Sequence, residues 1–198
     1  MVTRRRAETR ARLLDAAAEV FADRGFGATS VEQVCEAAGY TRGAFYSNFS
    51  TLDELLLALF DRRQAELVAG LAVALDGLTE PAPVADLTDV VDDLLTAHLA
   101  DRRWQVLQTE LALQALRTPA IAAQVAEQRA DLRRRVGELI ARAAERAGRR
   151  LTVPADELAR GVLALVEGSR LQAYLDPGAS RTDRLLLTAV LERYTRAR

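Results

Sequence analysis

Residues 37–49 read Ala37-Ala38-Gly39-Tyr40-Thr41-Arg42-Gly43-Ala44-Phe45-Tyr46-Ser47-Asn48-Phe49, and this run decides how the first fifty residues fold. Gly39 stops one helix and Thr41 caps the next, a short one that buries Phe45 and Phe49. Working back from there, Ser30 is an N-cap with Gln33 three residues on, the pattern of a capping box. Val31, Val34, Cys35 and Ala38 then face inward at helical spacing. From Glu8 to Arg24 the apolar positions Leu13, Leu14, Ala17, Val20 and Phe21 predict a first helix. Gly25 supplies the left-handed residue that ends it, and Phe26 is placed to pack on its last turn. Working forward, Thr51 with Glu54 predicts a second capping box, opening a long helix through Leu55, Leu56, Leu59, Phe60 and Leu67.

Three short helices with a glycine turn between the second and third form a helix-turn-helix. In that arrangement the third helix offers its N-terminal residues to the DNA major groove. One face must anchor in the core and the other must be small or polar. Phe45 and Phe49 supply the anchor and are core residues, not DNA contacts. Thr41, Arg42, Gly43, Ala44, Ser47 and Asn48 supply the outer face. Arg42 can read guanine or bind a phosphate, and Ala44 can touch a thymine methyl. Tyr46 can donate its hydroxyl to a phosphate or pack beside the turn. Ser30 and Thr51 are caps first, so any phosphate bond is a second use of the same region.

The chain has 198 residues, 49% hydrophobic and 28% charged, with five Pro and eleven Gly, a mix that predicts an all-α fold. Its net charge is −1 and every fixed positive charge is an Arg. Residues 1–12 hold Arg4, Arg5, Arg6, Arg10 and Arg12 against Glu8 alone, whereas residues 51–198 hold 20 Arg against 22 Asp plus Glu. This basic arm suits a nucleic-acid contact at one end of the molecule, or else a solvated, disordered terminus. Cys35 stands alone, so there is no intrachain disulfide. No segment reaches the roughly 18 apolar residues that cross a bilayer. Charged residues interrupt any signal-peptide core, so a cytoplasmic protein is expected. Beyond the loop Thr79-Glu80-Pro81-Ala82-Pro83, further helices are expected at about 84–99, 101–117, 119–147, 154–175 and 182–197.

The run from Thr29-Ser30-Val31 to Phe49, followed by Asp53-Glu54-Leu55, resembles the DNA-binding domain of TetR-family transcriptional regulators over about residues 8–60. The resemblance implies nine helices in total. A helix-turn-helix domain at 1–50 would precede a helical effector-binding and dimerisation domain at 51–198. It also implies a homodimer on a palindromic operator, usually a repressor, with a small effector among the long helices. DNA contacts would fall on Thr29, Ser30, Thr41, Arg42, Gly43, Ala44, Tyr46, Ser47 and Asn48. Many relatives carry a Lys where this chain has Leu52, so one backbone contact is in question. Thr51 or the Arg-rich arm is the replacement.

Within the larger domain, an apolar effector pocket is expected along Trp104, Leu107, Leu111 and Gln114. Val91, Leu94 and His98 would face it from one side, and Leu163, Glu167 and Arg170 would close it. Glu110 is expected to pair with an Arg. Few aromatic residues follow residue 50, which points to an aliphatic or modestly polar effector rather than a caged cation. Gly161, Ala164 and Gly168 permit close helix approach, and Leu187, Val190, Leu191 and Tyr194 form an apolar seam. Helices 154–175 and 182–197 are therefore the expected dimer contact. No enzyme, cofactor or metal is expected: His98 and Cys35 fall in different domains and no phosphate loop is present. Asp86, Asp89, Asp92 and Asp93 near His98 read as a solvated helix start, where acids suit the helix dipole. A helical small-molecule binder that has lost specific DNA binding is the rival reading, and Leu52 is its only support.

Overall fold

A computed structural model describes residues 2–78, 101–176 and 182–197. Among these residues the chain forms eight α-helices: α1 (Val2–Arg24), α2 (Val31–Ala38), α3 (Arg42–Tyr46), α4 (Leu52–Asp76), α5 (Arg102–Arg117), α6 (Pro119–Arg146), α7 (Ala155–Leu175) and α8 (Thr182–Arg193). The helix expected at about 84–99 lies outside the described residues, as do Val91, Leu94 and His98.

The local signals at the motif act as read. Ser30 Oγ accepts from Gln33 N–H at 3.3 Å, and Gln33 Oε1 accepts from Ser30 N–H at 2.8 Å. Gly39 takes the left-handed conformation (φ 70°) and ends α2, and Tyr40 N–H donates to Cys35 C=O at 2.9 Å. At α4 the capping box is shifted. Thr51 Oγ1 accepts from Glu54 N–H at 3.0 Å, but the Glu54 carboxylate accepts from Ser50 N–H rather than from Thr51.

Four expectations are corrected. The first helix begins at Val2, not Glu8, because no breaker stands among residues 2–8 and Arg is a good helix former. Residues 4–12 are therefore helix, not a disordered tail. Gly25 does have positive φ (82°), but with ψ 150° it leads into a 3-10 turn at Phe26–Ala28 instead of closing a left-handed cap. Glu110 pairs with a backbone group, as described below. Finally, the last helix ends at Arg193, and Thr195–Ala197 form a strand, β2, antiparallel to β1 (Arg149–Leu151). Thr195 drives this change. It is buried, its hydroxyl donates to Leu191 C=O, and it accepts from Arg149 Nε at 2.6 Å.

The contacts gather into two compact units, Met1–Arg63 with Asp101–Glu127, and Gln64–Ala100 with Gln128–Arg198. The first takes in more than the helix-turn-helix because α5 packs on α1. Its core includes Leu13, Ala17, Phe21, Val34, Phe45, Leu55 and Leu107, all essentially inaccessible. The second is built on Leu132, Val136 and Ala159, with Val68, Ile140 and Leu163 packed around them. Within it α6 closes the end of α4. Arg146 donates to Leu75 C=O at 2.8 Å, and Arg142 and Arg146 both pair with the Asp76 carboxylate, so α6 holds the last turn of α4.

Candidate nucleic-acid interface

The third helix of the motif is only five residues long, so its position comes from what lies beneath it. Phe45 and Phe49 are buried with ring centroids 5.9 Å apart. Opposite them Thr41, Arg42, Gly43, Tyr46 and Ser47 are exposed, with Tyr46 at 52%. Thr41 Oγ1 accepts from Ala44 N–H at 3.3 Å and fixes where the helix begins. Asn48 differs from the rest of the expected contact set. It is 9% exposed, and its amide donates to Ala44 C=O at 2.8 Å and to Ser47 Oγ at 3.2 Å. Thr29 and Ser30 are half-buried at the start of α2, and Thr51 is exposed before α4. Leu52 is half-buried as the first residue of α4.

The basic arm is part of this site in a way the sequence did not reveal. Arg6 donates to Ser47 C=O at 3.0 Å, and Arg10 to Asn48 C=O at 3.4 Å. The Arg10 guanidinium also sits 4.3 Å from the Phe49 ring centroid, a cation–π contact. Two arginines of α1 thus cap the far end of α3, where the last carbonyls lack helix partners. Arg4, Arg5 and Arg12 are exposed.

Two acidic residues also shape the site, and sequence reasoning gave neither a place in it. Glu110 on α5 accepts the Phe26 N–H in the turn between α1 and α2. A Cβ on Gly25 would lie 2.9 Å from Glu110 Oε1, so the glycine supplies room for the carboxylate as well as the positive φ. Phe26 packs edge-on against Phe21 at 5.2 Å. Glu32, on α2, pairs with Arg42 at 2.8 Å. Its own backbone N–H, the Ser30 hydroxyl and Arg42 hold its carboxyl below the usual carboxylate range. Hydrogen bonding with the Tyr46 side chain and the Glu32 charge push the Arg42 guanidinium up. Burial raises the Cys35 thiol. The spacing of Glu32 and Arg42 in sequence crosses the turn, which is why no helical periodicity exposes the pair.

The residues expected around an effector divide between the two units, apart from Val91, Leu94 and His98, which lie outside the described residues. Trp104, Leu107 and Leu111 are buried in the first unit, where Trp104 packs on Phe60 at 4.4 Å between ring centroids. Gln114 is half-buried there, while Leu163, Glu167 and Arg170 belong to the second unit. Glu167 pairs with Arg129 at 3.1 Å. The second unit has a cavity of about 60 Å³ whose wall includes Leu71, Leu139, Ile140, Ala143, Leu163 and Leu191. Among the described residues its surface is apolar, and Arg149 and Thr195, which also border it, are bonded to each other. Leu187 is buried and, with Leu191, turns toward this cavity, whereas Leu171, Tyr174, Leu175, Leu185, Leu186 and Tyr194 are exposed on α7 and in the α8 region. Among the described residues no cluster of His, Cys, Asp or Glu could hold a metal, and no helix is long and apolar enough to cross a membrane.

The sequence pattern described as "Bacterial regulatory proteins, tetR family" matches residues 13–59. That of "BetI-type transcriptional repressor, C-terminal" matches residues 83–198, more than half of the chain. The chain belongs to the TetR family of transcriptional regulators. Within the family it is similar over nearly its whole length to the nicotine-responsive transcriptional repressor HdnoR of Paenarthrobacter nicotinovorans, at 26% identity over 94% of this chain and 95% of that one. The transcriptional activator FasR of Mycolicibacterium smegmatis is 40% identical over 75 residues, 38% of this chain. That match spans only 34% of the activator's length. Among solved structures, a transcriptional regulator from Saccharomonospora viridis in complex with choline has a TM-score of 0.70. It is 19% identical, with 97% of this chain and all of that one covered, and shows the TetR fold.

Removing the Glu110 carboxylate tests its part in this TetR fold. Glu110→Ala leaves the half-buried Phe26 N–H without its acceptor, which costs about 1–3 kcal/mol. Urea unfolding should show a lower midpoint at unchanged slope. An unchanged midpoint would mean that the bond contributes nothing.

Proposed function

We propose that the protein is a homodimeric repressor that binds a palindromic operator in the cytoplasm and leaves it when a small apolar effector binds. The observation that carries the DNA half of this reading is the two-faced third helix, anchored by buried Phe45 and Phe49 and exposing Thr41, Arg42, Gly43, Tyr46 and Ser47. In this reading residues 1–50 bind DNA and residues 51–198 bind the effector and the partner subunit. Thr29, Ser30, Thr41, Arg42, Gly43, Ala44, Tyr46, Ser47, Asn48 and Thr51 contact DNA, with buried Asn48 the least accessible of them. The exposed Arg4, Arg5 and Arg12 take over the phosphate contact that Leu52 cannot make. The chain works by binding, not by catalysis.

The dimer forms through helices 154–175 and 182–197. Exposed Leu171, Leu175, Leu185 and Leu186 support that assignment, since exposed leucines gathered on two elements mark an interaction surface. The seam is then not the one expected from Leu187 and Leu191, which face inward. Two reading helices must meet successive major grooves about 34–36 Å apart. α4 runs on from the motif, so an effector that tilts it changes that spacing. A hundredfold preference for the released conformation supplies about 2.7 kcal/mol per site.

The 60 Å³ cavity is the effector site in this reading. That volume is about four to six times what admits one water, enough for a short alkyl chain. The S. viridis regulator's choline and HdnoR's nicotine do not suit it. Among the described residues no ring or carboxylate stands in its wall to receive a cation, and the Arg149 guanidinium is near it. An uncharged aliphatic ligand is the better match.

Arg42→Ala tests the DNA half. In a mobility-shift assay on the intergenic DNA beside the gene, the wild type should bind specifically and the variant should lose that binding. Failure of the wild type to bind even at low salt favours the rival, a helical binder without DNA specificity. For the effector half, neutral C4–C8 alcohols should raise the unfolding temperature and release operator DNA, and choline should do neither. Stabilisation by choline alone would overturn the assignment of the cavity.

A further inference from the structure

Glu32 is an acid in the first turn of α2, where it suits the helix dipole, yet it lies on the surface proposed to meet a polyanion. Its partner Arg42 is 62% exposed at the side chain and Glu32 is 55% exposed. Exposed ion pairs contribute at most about 1 kcal/mol. For DNA affinity the acid is a liability, because it repels phosphates and cancels a charge that would release counterions. Beyond that small stabilisation, its pairing with Arg42 has a geometric consequence.

Arg42 stands at the start of α3 on a long, flexible stem whose free guanidinium would settle on any phosphate within reach. Glu32 removes that freedom. The carboxylate stands in the first turn of α2, beside the Ser30 hydroxyl that caps the helix, and the backbone and that hydroxyl favour its charged form. On the other side the guanidinium meets the Tyr46 side chain, its carbon 5.9 Å from the ring centroid. The guanidinium is therefore held between α2 and α3 through one of its terminal nitrogens, NH1. Its other N–H groups remain available for the two-pronged bond that arginine makes to guanine O6 and N7.

We propose that Glu32 is a positioning residue for base readout, which holds Arg42 off the phosphates and aims it at a guanine, so that discrimination at that base pair depends on Glu32. The inference rests on the assignment of Arg42 to DNA made above. It has a signature that a structural role lacks. Removing the acid should lower selectivity at one position of each half-site while leaving general DNA affinity equal or higher.

The test is selection from a randomised double-stranded DNA pool by the wild-type dimer, Glu32→Gln and Arg42→Ala, with enrichment read base by base. The wild type should enrich a palindrome with a preferred guanine that Arg42→Ala no longer selects. Glu32→Gln should relax that same position by about tenfold or more and keep the others. Its binding to unselected DNA at low salt should be no weaker than the wild type's. A Glu32→Gln profile identical to the wild type's, with uniformly tighter binding, would overturn the proposal and leave Glu32 as mere repulsion. Uniformly weaker binding with an unchanged profile would also overturn it, and would assign Glu32 to folding. If the wild type enriches no sequence, the assignment of Arg42 to DNA fails first, and this inference with it.

Discussion

The anchoring of α3 is the constraint on which the DNA-binding end depends. A helix of five residues closes too few backbone bonds to hold its own shape, since isolated helices shorter than about 12–15 residues are marginal in water. Its geometry is imposed from outside: Phe45 and Phe49 fill the core below it, Thr41 fixes its start, and Arg6 and Arg10 bond the carbonyls at its far end. Arg10 is shared between the Phe49 ring and the Asn48 carbonyl, so one side chain links α1, the aromatic anchor and the end of α3. With Phe45 and Phe49 anchoring the helix from below, small and polar side chains occupy its outer face, where they can approach DNA closely.

The same division of labour extends upward through the first unit. The turn between α1 and α2 sets where Thr29 and Ser30 stand, and that turn is pinned by Glu110 and made possible by Gly25. α5 therefore holds a backbone N–H of the motif directly. In the second unit the arginines of α6 hold the other end of α4, through Asp76 and Leu75. α4 is thus fixed at both of its ends by specific polar contacts, from Thr51 and Glu54 at its start and from α6 at its finish.

Much of this was legible in the sequence, for reasons that differ by residue. The Ser30–Gln33 capping box, Gly39 and the spacing of Phe45 and Phe49 are local signals, and local chemistry decides them. Glu110, Glu32, Arg6 and Arg10 escaped because their partners are far away in sequence and are backbone atoms or residues across a turn, which periodicity cannot register. The β1–β2 ribbon escaped for a related reason. Residues 195–197 continue a helical pattern, and only the tertiary bonds between Arg149 and Thr195 turn them into a strand. For the effector site, Trp104, Leu107 and Leu111 carry the apolar helical spacing of a pocket wall, yet that pattern is equally the signature of core. Packing against Phe60 makes Trp104 core.

Hydroxyl-radical footprinting of the wild-type protein on DNA enriched from a random pool tests the central claim most directly. If the anchored helix reads DNA as a symmetric pair, protection should fall in two patches in successive major grooves, about one helical turn apart and related by two-fold symmetry. A single unsymmetrical patch, or protection with no relation to the helical repeat, would contradict the account.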